Sequence, residues 1–122
     1  MTRLRSSALI LLTLVAPPVC GGRADVVAVD VRTAGAAAYD FDVTVRHDDE
    51  GWEHYADRWE ILAPSGEIIA TRILHHPHVD EQPFTRSLTG VSVPPEIDVV
   101  TIRAHDSVHG SGTEGVTEPF PK

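Results

Sequence analysis

An all-β domain built from two packed antiparallel sheets is predicted by three features of the chain. Apolar and polar residues alternate with a period of two in segment after segment beyond residue 25. Turn-forming clusters separate these segments at short intervals. No stretch carries a sustained 3.6-residue apolar period with caps at both ends.

The segments follow in order. Residues 26–32 (VVAVDVR) alternate with Val27, Val29 and Val31 on the inward face. Residues 37–46 contain AYDFDVTVR, with Tyr39, Phe41, Val43 and Val45 pointing one way and Asp40, Asp42, Thr44 and Arg46 the other. That is a strand with one face in the core and one in solvent. Residues 55–62 bring in Trp59 and Ile61 as core residues, and APSGE (63–67) turns the chain into EIIATRIL (67–74). FTRSLTGVSV (84–93) leads through VPPEID (93–98) into DVVTIRAH (98–105), where Val100, Ile102 and Ala104 share a side. TEGVTEPF (113–120) is a short last strand that Pro119 and Pro121 confine to a sheet edge or a tail. Six or seven short strands at this spacing predict an immunoglobulin or fibronectin type III-like β-sandwich. The Cys-Trp-Cys signature of antibody domains is missing, so the fibronectin-like form fits better. A cupin-like barrel is a lesser alternative: HPHVDE has a His-x-His then acidic order, but its preceding glycine and a second motif near His105 are absent.

The first 24 residues are read as a secretory signal. Arg3 and Arg5 precede an apolar run over residues 8–16, and Gly22 and Ala24 offer small residues for a cut after Ala24. The run is too short to span a bilayer, which takes about 20 residues. Pro17-Pro18-Val19 before Cys20 suit a lipidation signal poorly, so a lipid anchor there is not expected. The reading is therefore one domain over residues 25–122, periplasmic or secreted. Of the ten basic residues three precede Asp25, and all eighteen acidic ones follow, which leaves a balance of −11. Such acidity disfavours nucleic acid and anionic lipid surfaces as partners. No cysteine remains beyond Cys20, which removes disulfides and thiolate–metal chemistry.

If successive strands run in opposite directions, alternate connections lie at the same end. HDDEGWEH (47–54), HHPHVDEQP (75–83) and HDSVHGSG (105–112) then share one pole, and between them they carry all seven histidines. Asp48, Asp49, Glu50, Glu53, Asp80, Glu81 and Asp106 stand among them. Histidine and carboxylate together suit a divalent transition metal, copper(II), zinc or nickel, rather than copper(I). His78, His105 and His109 are the expected ligands, with His76 next, and with His54 or His47 completing a set. The alternative is a metal-free protein- or ligand-binding module using the same loops. Trp52, Tyr55, His47, Asp80, Glu81 and Asp106 are its expected contacts, with Trp52 as either an exposed anchor or a core residue. A third reading is a pH response of the clustered histidines. Catalysis is not expected: His105, Asp106, Ser107 and His109 are neighbours in one turn, whereas a triad is assembled from distant positions, and no Gly-x-Ser-x-Gly elbow is present.

HPHVDEQPFTRSL (76–88), RAHDSVHG (103–110) and EGWEHYADRWEIL (50–62) resemble small exported bacterial proteins of unknown function that carry an HPHxxEQPFTRS-like motif. The resemblance implies export and a small β-domain, and it implies no activity.

Overall fold

The computed structural model describes residues 22–111 and 115–121. The first 21 residues, which hold most of the expected signal segment and Cys20, lie outside the described residues. The described residues are all-β, without helix, in two antiparallel sheets. One sheet orders its strands β1 (Asp25–Gly35), β2 (Ala38–Arg46), β5 (Phe84–Ser92). The other orders β4 (Ile68–Ile73), β3 (Ala56–Leu62), β6 (Val99–Asp106). Along the free edge of β6 lie two short pieces, β7 (Gly110–Ser111) and β8 (Val116–Pro119). Pro119 thus sits in an edge strand, where its missing N–H breaks no ladder.

The pleat explains which residues form the core. Phe41, Val43 and Val45 of β2 meet Trp59 and Ile61 of β3 and Val100, Ile102 and Ala104 of β6, all fully buried or nearly so. Leu74, Phe84 and Phe120 close the ends of this layer. Phe120 stacks on Tyr39 at 4.3 Å and meets the Phe41 ring edge-on at 6.3 Å, which ties the tail to β2.

Strand β1 departs from strict alternation. Its pairing with β2 shifts register between Val26 and Ala28, so Val26, Val29 and Val31 pack on the core while Val27 is exposed. The inward assignment of Val27 is therefore corrected: one bulged residue inverts the pattern on its N-terminal side. Strand β3 is buried on both faces. On its outer side Glu60 is buried between Arg58 at 3.0 Å and Arg103, its cross-strand partner on β6, at 2.7 Å. Burial opposes the Glu60 charge, but the two guanidinium groups outweigh it and hold its pKa below the usual range.

At one pole lie the turn at residues 63–67, closed by Gly66 N–H to Ala63 O, and the turn at 94–97, closed by Ile97 N–H to Pro94 O. Gly66 has φ +93°, a conformation that a side chain would strain. The connections β2–β3, β4–β5 and β6–β7 lie at the other pole and are bonded to one another, as described below.

Replacing Phe41 with alanine should destabilise the domain by about 3–5 kcal/mol, through lost transfer energy and a cavity. Replacing Trp52, which is 66% exposed, should change stability by less than about 0.5 kcal/mol. Urea denaturation of the two variants would check the contrast, and equal costs would contradict this assignment of the core.

Candidate metal centre

Asp49 joins the loops of the histidine pole. Its Oδ1 accepts from His47 Nδ1 at 2.6 Å and from the Ala56 N–H at 3.0 Å. Its Oδ2 accepts from the His78 N–H at 2.7 Å. One buried carboxylate thereby fixes the β2–β3 loop, the start of β3 and the β4–β5 loop. Gln82 reinforces the link, accepting from the His47 N–H and donating to the His78 carbonyl. The β6–β7 turn joins through Tyr55 and Ser107, whose N–H groups bond to the Ser107 hydroxyl and the Tyr55 carbonyl respectively.

Inside this frame, one ligand atom from each of His47, His54 and Asp106 lies within 4.8 Å of the others, and all three residues are buried. Asp106 ends β6 with its side chain inward, since β6 alternates and Val100, Ile102 and Ala104 face the same way. Its Oδ1 caps the turn by accepting from the Val108 N–H at 2.9 Å and the His109 N–H at 2.7 Å. His54 Nδ1 bonds Glu50 Oε1 at 2.6 Å, and its Nε2 lies 3.2 Å from Asp106 Oδ1 without hydrogen-bond geometry. His47 Nε2 lies 3.9 Å from Asp106 Oδ2 and 2.8 Å from the Gly22 carbonyl. Two buried side-chain atoms in this group, His54 Nε2 and Asp106 Oδ2, have no hydrogen-bond partner.

The electrostatics follow from the partners. Burial opposes a charge on His47, but hydrogen bonds to Asp49 and Gly22 and the charges of Asp49 and Asp106 outweigh it, and its pKa is raised. With an acceptor at each ring nitrogen, His47 is an imidazolium. Burial likewise opposes the carboxylates. Asp49 is nevertheless held below its ordinary value by His47 and two backbone N–H groups, and Asp106 by the His109 and Val108 N–H groups.

The expected ligands are distributed differently from their order of preference. His105 neighbours Asp106 on β6, and the pleat turns it to the outer face, where Nδ1 bonds Asp57 at 2.6 Å. His78 accepts from Arg86 at its Nε2, 2.9 Å away, and stacks on Phe84 at 3.9 Å. Because arginine only donates, His78 is neutral; burial first and Arg86 second depress its pKa. His76 is exposed, bonded to the Pro77 carbonyl, with its ring 4.7 Å from that of His78. His109 stands at the edge of the group, its Nδ1 3.2 Å from Asp106 Oδ1 and its ring 5.0 Å from that of His54. Among the expected contacts, Trp52 is exposed and meets the Tyr55 ring at 5.6 Å. Asp80 is exposed, and Glu81 pairs with Arg86 at 3.2 Å.

Asp49, Glu50 and Gly22 were not among the residues expected to form the site. The first two sit at spacings that could have drawn notice, His47-x-Asp49 and Glu50-x-x-x-His54, because each brings a carboxylate to a histidine Nδ1. Gly22 was grouped with the expected signal. In the full chain it packs on the pole together with Arg23 and the buried Ala24.

No family model matches the chain, and no solved structure matches it. It is similar to a protein of Halomicrobium mukohataei named "Putative lipoprotein", 41% identical over 93 residues. That stretch is 76% of this chain and 45% of the relative, so the chain spans less than half of the relative's length. Among the described residues no helix is long and apolar enough to cross a membrane.

Asp49→Ala should cost about 3–5 kcal/mol, because it leaves a buried imidazolium and two buried N–H groups without their acceptor. Chemical denaturation checks the magnitude. The pKa directions also set a pH dependence. His47 is raised, so its contribution is complete below about pH 6.5 and is lost as pH rises through its folded pKa. Asp49 and Asp106 are lowered, so theirs is present above about pH 3.9 and is lost as pH falls through their folded values. His78 is lowered and costs stability only as pH falls below about 6.5. The thermal midpoint should therefore decline as pH rises above about 6.5, and His47→Gln should flatten that decline. An identical slope in the variant would contradict this role of His47.

Proposed function

We propose that this chain is an exported β-sandwich module whose histidine pole binds a divalent transition metal through His47, His54 and Asp106. The observation that carries the reading is that two of the four partnerless buried side-chain atoms among the described residues, His54 Nε2 and Asp106 Oδ2, fall in the group that converges within 4.8 Å, the others being Trp59 Nε1 and His78 Nδ1. Buried polar atoms are otherwise almost always bonded, and a cation would satisfy both atoms of the group. A tetrahedral zinc with bonds of about 2.0 Å places its ligand atoms about 3.3 Å apart, so a small inward movement of side chains suffices. The two histidines also resemble ligands in their orientation: each bonds a carboxylate through Nδ1 and turns Nε2 inward. Nitrogen and oxygen donors without sulfur favour zinc, copper(II) or nickel.

The strand order β1-β2-β5 over β4-β3-β6 with β7 and β8 supports the fibronectin type III-like form of the sandwich. Similarity to a protein named a lipoprotein supports export and residence at the cell envelope.

A metal-free binding module has its own supporting observation. Each of the three pole loops exposes one large apolar side chain: Trp52, Val79 and Val108 are 66%, 54% and 57% exposed. Such a rim suits contact with a protein partner, and it can coexist with a metal beneath it.

Protein purified without a histidine tag should bind zinc or copper(II) with a Kd below about 10 μM, near 7 kcal/mol. His54→Ala and Asp106→Asn should weaken binding by well over tenfold, and Glu50→Gln by about tenfold, as loss of a supporting partner does. His78→Ala and His105→Ala should leave the affinity unchanged. Isothermal titration reads all five variants, and weaker binding in the last two would return the ligand set to the order expected from the sequence.

A further inference from the structure

We infer that residues Gly22–Ala24 form a strap that occupies the metal centre and must lift from it for His47 to act as a ligand. The inference rests on the metal reading above and adds to it a competitor within the chain. The Gly22 carbonyl accepts from His47 Nε2 at 2.8 Å, and that is the nitrogen the site needs, because Nδ1 is engaged by Asp49. A ring nitrogen that donates to a carbonyl has no lone pair to offer a cation. The next residue holds the strap down. Arg23 donates to the carbonyls of His109 at 2.9 Å and Ser111 at 3.0 Å, so it also pins the turn that carries His109. Ala24 is then seated in the core at 1% exposure and fixes where the strap begins.

The strap is held lightly above that seat. Gly22 is half-buried and bonded to the His47 ring, and the exposed Arg23 bonds backbone carbonyls alone. Beside the strap lies an open pocket of about 150 Å³ lined by Gly22, Arg23, Asp25, Arg46, His47 and Asp48. Rotation about the Arg23–Ala24 junction would free His47 Nε2 without disturbing Ala24, Asp49 or the sheets. An entering cation would then displace the Nε2 proton to solvent, and the Gly22 O contact to His47 Nε2 would give way to a cation–nitrogen bond. Removal of Arg23 should favour the same state.

The test uses the full chain and its Arg23→Ala variant with zinc chloride. The first measurement is zinc affinity by titration; the second is the rate of trypsin cleavage after Arg23, followed by mass spectrometry. The strap predicts roughly fivefold tighter zinc binding in Arg23→Ala, the scale of one or two exposed hydrogen bonds. It also predicts that zinc accelerates cleavage after Arg23 in the unmodified chain several-fold. Zinc binding that depends on His54 and Asp106, with no change in affinity on Arg23→Ala and no change in cleavage, would overturn the strap and leave the metal centre standing. Failure of both proteins to bind zinc would overturn both.

Discussion

The Asp49 carboxylate is the constraint on which the pole of this domain depends. A charge withdrawn from water is costly unless its oxygens are fully engaged. Asp49 meets that condition with an imidazolium and two backbone N–H groups drawn from three separate segments. Satisfying this one group fixes the relative positions of the β2–β3 loop, the β4–β5 loop and the head of β3. The sandwich core does not need that arrangement, because Phe41, Trp59, Ile61 and Ile102 pack without it. The arrangement serves the pole.

Given that frame, the site follows from two simple geometries. The pleat of β6 directs Asp106 inward and His105 outward, though they are adjacent. Carboxylates at His47 and His54 Nδ1 set the ring orientations and leave Nε2 facing Asp106. His47 then meets a backbone oxygen from the chain preceding β1. How that preceding chain is processed therefore bears on the chemistry. A chain cut after Ala24 would present His47 Nε2 without the Gly22 carbonyl, whereas a chain retained from Cys20 would keep it.

Most of the fold was legible because its signal is local. Period-two alternation placed β2, β3 and β6, and the turns at residues 63–67 and 94–97 lie where Gly and Pro mark them. The two-residue β7 was missed, since a strand that short has no period to read. Val27 was misplaced because a bulge shifts register with no signature in VVAVDVR. At the pole, strand parity brought seven histidines to one end but could not rank them. HDSVHG reads as a loop, yet β6 continues through Asp106, and that one residue of strand decides that Asp106 rather than His105 faces His54.

By itself the sequence determined the all-β architecture, the acidic character and the end of the domain where histidines gather, because alternation, composition and parity are properties of the chain alone. Only the tertiary structure decided which histidines meet, which is a matter of ångströms between loops remote in sequence. Hydrogen bonds from His78 to Asp49, from His47 to Gly22 and from Arg23 to His109 span 29, 25 and 86 residues. No local pattern encodes such pairings. They arise when burial leaves each polar group only a few partners within reach.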